Sequence, residues 1–308
     1  MNKKVFKVSI VMLFLGFIFL FSGIQMGGLE FVKRTNIDRI HSLNQIEKFS
    51  KNLEKISTVQ AELYSSNFEI RKSENGKNYI EYFAEDEKDY IIKSEEGRLS
   101  IKENKKEDFF GSQVGININF AKDFLINGKI TNKTCALYLS EESLEEINVS
   151  NFSGNFEIAD ISSKNIDVNL KSGNCKLENL KSDDIYLVDF AGNIDIKNIN
   201  NLNHIKLENK AGNIKLENAK AKLCEVEQNA GNVKFTNVEI LNMLKIENNV
   251  GNIKCSLIYD SSKNYDVSLN SESGNTSMDK DFYRNTNGND TVIIDLKSNV
   301  GNIKLEKY

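Results

Sequence analysis

The chain has 308 residues, 40% of them apolar and 27% charged, which is enough to bury a large core, and its net charge is −4 with no Trp and no Pro. That balance argues against a general affinity for nucleic acid or anionic lipid, both of which select basic surfaces. The lack of Trp removes the largest ring on which sugar-binding clefts stack pyranose faces, leaving Tyr and Phe.

Residues 8–29 carry no charge, residues 8–24 are almost wholly apolar, and Lys3, Lys4 and Lys7 precede them. About 20 apolar residues span a bilayer core, and a positive flank keeps the N-terminus inside. Residues 1–29 therefore read as a cytoplasmic stub and a single-pass transmembrane signal anchor, with the bulk of the chain outside a bacterial cell membrane. A cleaved signal peptide is the rival, but GIQMGG at 23–28 offers no small-x-small cleavage site.

Residues 30–56 form a linker in which Ile40, Leu43, Ile46, Phe49, Leu53 and Ile56 recur at spacings of three and four. That period predicts a juxtamembrane amphipathic helix over 37–56. Residues 57–146 alternate in strand fashion at 79–83, 90–92, 99–101 and 114–120, and are expected to form an irregular β cap.

From 147 to 308 a Gly-Asn pair recurs at Gly154, Gly173, Gly192, Gly212, Gly231, Gly251, Gly274 and Gly301, at spacings of 19, 19, 20, 19, 20, 23 and 27. A period this regular marks a solenoid. Four apolar columns align on the glycine, at seven and five residues before it and two and four after it. In the Gly212 repeat they are Ile205, Leu207, Ile214 and Leu216, and Thr276 is the one polar occupant across all repeats. Columns two apart are a strand with one buried face, so each repeat is two short strands joined at the Gly-Asn corner.

Four buried side chains cannot offset the ordering of a whole repeat, so the rungs must stack and hydrogen-bond to one another. The expected fold is all-β, a single-stranded parallel β-solenoid of about eight rungs, with right-handed coiling favoured by the handedness of parallel crossovers. Asn after the glycine, and Asp160, Asn179, Asn198, Asn218 and Asn237 six after it, are expected to stack as polar ladders at the two corners. Cys175, Cys224 and Cys255 fall in apolar columns, and Cys135 alternates in phase with Leu137 and Leu139. This register predicts buried free thiols rather than disulfides.

The Gly-Asn repeats, the preceding segment LYLSEESLEEINVSNFSGNFEI at 137–158 and an N-terminal apolar segment ending in Gly-Gly resemble the bacterial "putative adhesin" domain family. The resemblance covers roughly residues 57–308. It implies an envelope-associated domain of unknown function, with no catalytic residues and no cofactor to carry over.

Little in the sequence points to catalytic chemistry. Polysaccharide-active β-helices need clustered carboxylates, whereas here the outward columns mix Glu and Lys, and His41 and His204 are isolated. Lys215, Lys234 and Lys254, and Glu208, Glu227 and Glu247, form like-charge ladders that must either pair with their neighbours or meet an opposite-sign polymer such as an anionic wall glycan. The corner opposite Gly-Asn lengthens in the last two repeats, placing Tyr259, Asp260, Tyr265, Phe282, Tyr283 and Arg284 together as a candidate binding surface. The alternative is that these excursions cap an edge left open where the chain stops at Tyr308. The reading that follows is a non-enzymatic, membrane-anchored binding or scaffold protein of the cell envelope. Its expected partners are the membrane, through the N-terminal helix, and a cell-wall polymer, glycan or envelope protein, without nucleic acid. An accessory or sensory role in envelope stress stands second and a polysaccharide-active enzyme third.

Overall fold

A computed structural model describes residues 47–104, 134–140, 143–283 and 290–308. The signal anchor, the first part of the expected juxtamembrane helix, the strand expected at 114–120 and Arg284 lie outside the described residues. Among the described residues no helix is long and apolar enough to cross a membrane.

The repeats fold as read. In each, the strand before the glycine joins one parallel sheet and the strand after it joins a second, with the four apolar columns facing inward between them. Ile205, Leu207, Ile214 and Leu216 are fully buried, as are their counterparts in neighbouring rungs. Partners across the ladder share a column: Ile205 lies beside Cys224, and Cys224 beside Leu244. Three long strands, Ile194–Ala211, Ile214–Ala230 and Val233–Val250, run from one Gly-Asn pair to the next, bending at the opposite corner. The four cysteines are buried and free, and burial pushes their thiols well above the usual range.

Among the described residues, Arg98–Glu103 with Thr134–Leu139 forms an outer parallel layer with Leu99, Ile101, Cys135 and Leu137 in the four columns, and nine rungs turn about a described corner, one more than the eight Gly-Asn pairs. The additional one is Thr58–Leu63 with Asn67–Lys72, where Ser66-Asn67 stands in place of Gly-Asn and Val59, Ala61, Phe68 and Ile70 fill the four columns. It belongs to the region expected to be an irregular cap.

Spatial order departs from sequence order at both ends. The Ser66 rung packs between the Gly154 rung on one side and Arg98–Glu103 with Thr134–Leu139 on the other. The last rung of the chain, Thr291–Val300 with Ile303–Lys307, inserts between the Gly251 rung and the Gly274 rung. The edge of the stack is therefore Asn264–Ser273 and Thr276–Met278, and the strand that ends near Tyr308 is covered on both sides. The expectation of an open edge at the chain terminus is corrected accordingly.

At the other end the expected helix also gives way. Glu47–Leu53 is a strand antiparallel to Asn78–Ala84, with Phe49 stacked on Tyr82 at 5.4 Å. Phe49 and Leu53 are four residues apart, a spacing that suits the period of two as well as that of 3.6. Antiparallel pairing at this end, including Tyr90–Glu95 with Arg98–Glu103, stops the parallel stack from propagating.

Candidate functional site

The Gly-Asn corner is built by close approach. A Cβ on Gly212 would lie 1.8 Å from the carbonyl oxygen of Gly192, and the same contact recurs at 1.7 to 2.3 Å in every Gly-Asn rung. Only a residue without a side chain lets successive corners sit so near. The Asn ladder then runs unbroken: each Oδ1 accepts the backbone N–H of the next Asn, through Asn67, Asn155, Asn174, Asn193, Asn213, Asn232, Asn252, Asn302 and Asn275. The second polar column behaves alike, with Asn198 Nδ2 donating to Asn179 Oδ1 at 2.8 Å and each residue from Asp160 to Asn237 at positive φ.

A third polar column, three before the glycine, points inward and was not apparent from the apolar pattern. Asn151, Asn209, Gln228, Asn248, Ser271 and Ser298 each donate to the corner carbonyl of the adjacent rung. Asp189 occupies the same column and is fully buried. Its Oδ1 accepts the Ala191 N–H at 3.1 Å, while Oδ2 lies beside Gly192 and has no partner. In the Gly154, Gly231, Gly251 and Gly274 rungs a donor nitrogen or hydroxyl takes that place. Burial without a cation pushes the Asp189 carboxyl up to about 6, against one favourable hydrogen bond from Ala191. The geometry suits a protonated Oδ2 donating toward the neighbouring corner carbonyl.

The lengthened corner brings together four of the six expected residues, Tyr259, Asp260, Tyr265 and Phe282. Tyr259, Tyr265 and Phe282 form a ring triad with centroids 5.1 to 5.5 Å apart, and Lys307 Nζ lies 5.0 Å from the Tyr259 centroid. Tyr265 and Phe282 are 8% and 2% exposed, so these rings are core. Tyr265 Oη accepts the Asp260 N–H at 2.8 Å. The Asp260 carboxylate accepts from Ser262, and that side-chain hydrogen bond holds its pKa below the usual carboxylate range. Tyr283 stands apart from the triad and is 70% exposed. The excursions are long because the chain passes from the Gly251 rung to the Gly274 rung, over the last one, and then returns.

The like-charge ladders resolve largely into pairs. Lys215 meets Glu217, while Lys254 and Lys304 share Glu306. Glu208 and Glu247 pair with Lys206 and Lys245 along their own strands. Lys304 joins the lysine ladder through the altered rung order, beside Lys254.

A different outward ladder mixes residue types and so lacks the single-charge signature of the other two. Two residues before the corner, on the outside, stand Tyr64, Phe152, Lys171, Phe190 and Lys210 in adjacent rungs. Tyr64 and Phe152 stack at 5.1 Å, and Lys171 and Lys210 place their ammonium groups 4.0 and 4.3 Å from the Phe190 centroid. Phe152 is 55% exposed. In the next three rungs the ladder continues as Asn229, Asn249 and Asn299, joined by amide hydrogen bonds. Among the described residues no three His, Cys, Asp or Glu side chains converge as metal ligands.

Comparison with known proteins gives a family and a set of folds. The family model for Toastrack DUF4097 matches residues 56–306. No curated protein matches the sequence. Among solved structures, a protein from Bacteroides fragilis described as a putative adhesin is 14% identical, with a TM-score of 0.44 over 85% of this chain and 97% of that one. One from Parabacteroides merdae, also described as a putative adhesin, is 10% identical with a TM-score of 0.45 over 86% and 97%. One from Parabacteroides distasonis described as a putative lipid binding protein is 18% identical with a TM-score of 0.44 over 85% and 96%.

Proposed function

The chain belongs to the Toastrack DUF4097 family, and we propose that it acts there as an adhesin-like binding platform, held outside a bacterial membrane by residues 8–29 and without enzymatic chemistry of its own. The observation that carries this reading is the form of the surface. The aromatic and lysine ladder crosses five rungs as one outward-facing line, exposed at Phe152, Lys171 and Lys210 and half-buried at Tyr64 and Phe190, whereas the loop excursions are occupied by core packing and chain crossover. A stack whose corners are locked by glycine contacts and amide ladders holds such a line rigid, so a partner meets it without paying to order it.

The anchor rests on the uncharged 8–29 segment with its preceding lysines. Two measurements test the proposal in cells expressing the full chain. Alkaline extraction should leave the protein in the membrane pellet, and protease added to intact spheroplasts should remove the repeat region. Extraction into the soluble fraction, or repeats protected from external protease, contradicts the anchor and its orientation. Retention of the detergent-solubilised chain on isolated envelopes tests the platform itself, and failure to be retained contradicts it.

A further inference from the structure

We propose that the Tyr64 to Lys210 ladder is the binding line for a linear anionic glycan laid parallel to the stack axis; this deepens the platform reading and rests on it. The first observation is charge without a partner. Lys171 and Lys210 come from the rungs on either side of Phe190 and make no ion pair among the described residues, in a chain whose net charge is −4 and whose other lysine ladder has Lys215, Lys254 and Lys304 paired with carboxylates. The ring holds each ammonium group, at 4.0 and 4.3 Å from its centroid, and leaves N–H groups to donate to a ligand.

The second is what surrounds them. From four residues before the corner to one after it, in the Gly154, Gly173 and Gly192 rungs, Lys171 is the one exposed charge, since Asp189 is buried. In the two outer rungs of the line the same window holds Glu62 and Glu208, each paired with a lysine, Lys102 and Lys206.

The third is shape. The five side chains make a ridge one residue wide and, at a strand spacing of about 4.8 Å, roughly 19 Å long. Beside it runs a track of small residues, Ser153, Ser172, Ala191 and Ala211, and beyond that the Asn ladder. Each Asn Nδ2 there uses one hydrogen on the Oδ1 of the preceding rung, as in Asn174 to Asn155 and Asn193 to Asn174, and keeps the other for a ligand. The track has cations and an exposed apolar ring on one wall and amide donors on the other. An extended sugar polymer has matching groups: C–H faces for Phe152, hydroxyls for the amides, and acidic substituents for the lysines. A bilayer would need a broad apolar face, which a single ridge between polar walls does not supply.

The test uses the full chain in detergent, with polygalacturonate as the probe, dextran as its neutral counterpart, inorganic polyphosphate as an anion without sugar, and phosphatidylglycerol vesicles as a membrane surface. Binding to polygalacturonate, weakening with salt, and none to dextran are expected. Lys171→Gln with Lys210→Gln should weaken polygalacturonate binding roughly tenfold, about 1.4 kcal/mol, and Phe152→Ala should weaken it severalfold, both with unchanged melting. Lys234→Gln on the other face should leave binding as it was.

Equal binding by the double variant overturns the proposal, as does vesicle binding without polygalacturonate binding. Polyphosphate bound as tightly as polygalacturonate and indifferent to Phe152→Ala overturns the glycan assignment. If isolated envelopes retain the double variant as they retain the parent, this inference fails while the platform reading stands; if they retain neither, the platform reading itself fails.

Discussion

In the Gly154 to Gly251 rungs the chain climbs one step at a time, whereas at each end it steps past a rung: at the C-terminal end it leaves a gap that the last rung fills, and at the N-terminal end it passes from the Arg98 and Thr134 strands over the earlier Ser66 rung to the Gly154 rung. The interior is held by repetition. Each corner glycine touches the one before it, each Asn serves the next, and the inward polar column closes most corner carbonyls. The ends are held by exceptions: antiparallel pairing and the buried Glu103 carboxylate, which accepts three backbone N–H groups at one end, and the Tyr259, Tyr265 and Phe282 triad at the other. Ser66 keeps its side chain at the first corner, where its hydroxyl also donates to Glu103. An interior rung is thus replaceable by its neighbours' pattern, and an end is specified by particular side chains.

The largest effect should come from the interior. Gly212→Ala puts a methyl 1.8 Å from the Gly192 oxygen at a φ of +143°, with rungs on both sides preventing relief. It should cost more than about 4 kcal/mol or abolish folding. Gly274→Ala meets the same contact at 2.1 Å, but its rung is free on its outer side and can lift away; a loss of about 2 kcal/mol is expected. Equal losses in denaturant melts would break the contrast between middle and end.

The capping triad comes next. Phe282→Ala should cost about 3 kcal/mol or more, because a ring that is 2% exposed is removed from the triad, whereas Tyr283→Ala should change stability by less than about 0.5 kcal/mol. Comparable thermal shifts for the two variants would return the excursion to the status of a loosely packed surface loop.

Asp189 sharpens the comparison within the interior. Its folded pKa is raised from 3.8 to about 6, so the fold binds the proton more tightly than the unfolded chain does. Stability is then fully present below about pH 4 and falls as pH rises through about 6, by up to about 3 kcal/mol. Asp189→Asn supplies the amide donor found elsewhere in the column. It should stabilise the protein by up to that amount near pH 8 and change little near pH 4. Melting curves for parent and variant that run parallel from pH 4 to 8 would show that Asp189 is not protonated by its site.

Much of this was readable before the structure, and the failures have physical causes. Gly-Asn fixed the columns because a strand's period of two and a close-packed corner each tolerate few residues. Ser66 concealed a rung whose four columns, Val59, Ala61, Phe68 and Ile70, fit the same frame, because no glycine marks its corner. Rung order was hidden for a deeper reason: every rung offers the same apolar columns, so pairing energies barely distinguish one neighbour from another. The lengthened corners before Val267 and Ile294 were the one trace of the crossover, and they looked like a ligand loop. Tyr265 and Phe282 were misleading in the same way, since aromatic residues in a polar segment signal burial or binding equally well. The Phe190 and Lys171 ladder stands two before the glycine, but it alternates ring and cation, so it lacks the like-charge repetition that marked the Lys215 and Glu208 columns.

The C-terminal excursions are long because the last rung inserts between its two predecessors. Val250 and Val300 are direct partners across that ladder, and Ser273 pairs with Val300 on its far side. Adjacent strands lie about 4.8 Å apart, within reach of a disulfide, and alternate strands at roughly twice that do not. Under mild oxidation, Val250→Cys with Val300→Cys should cross-link while Val250→Cys with Ser273→Cys should not. The reverse outcome would mean that the rungs stack in sequence order and would contradict the account.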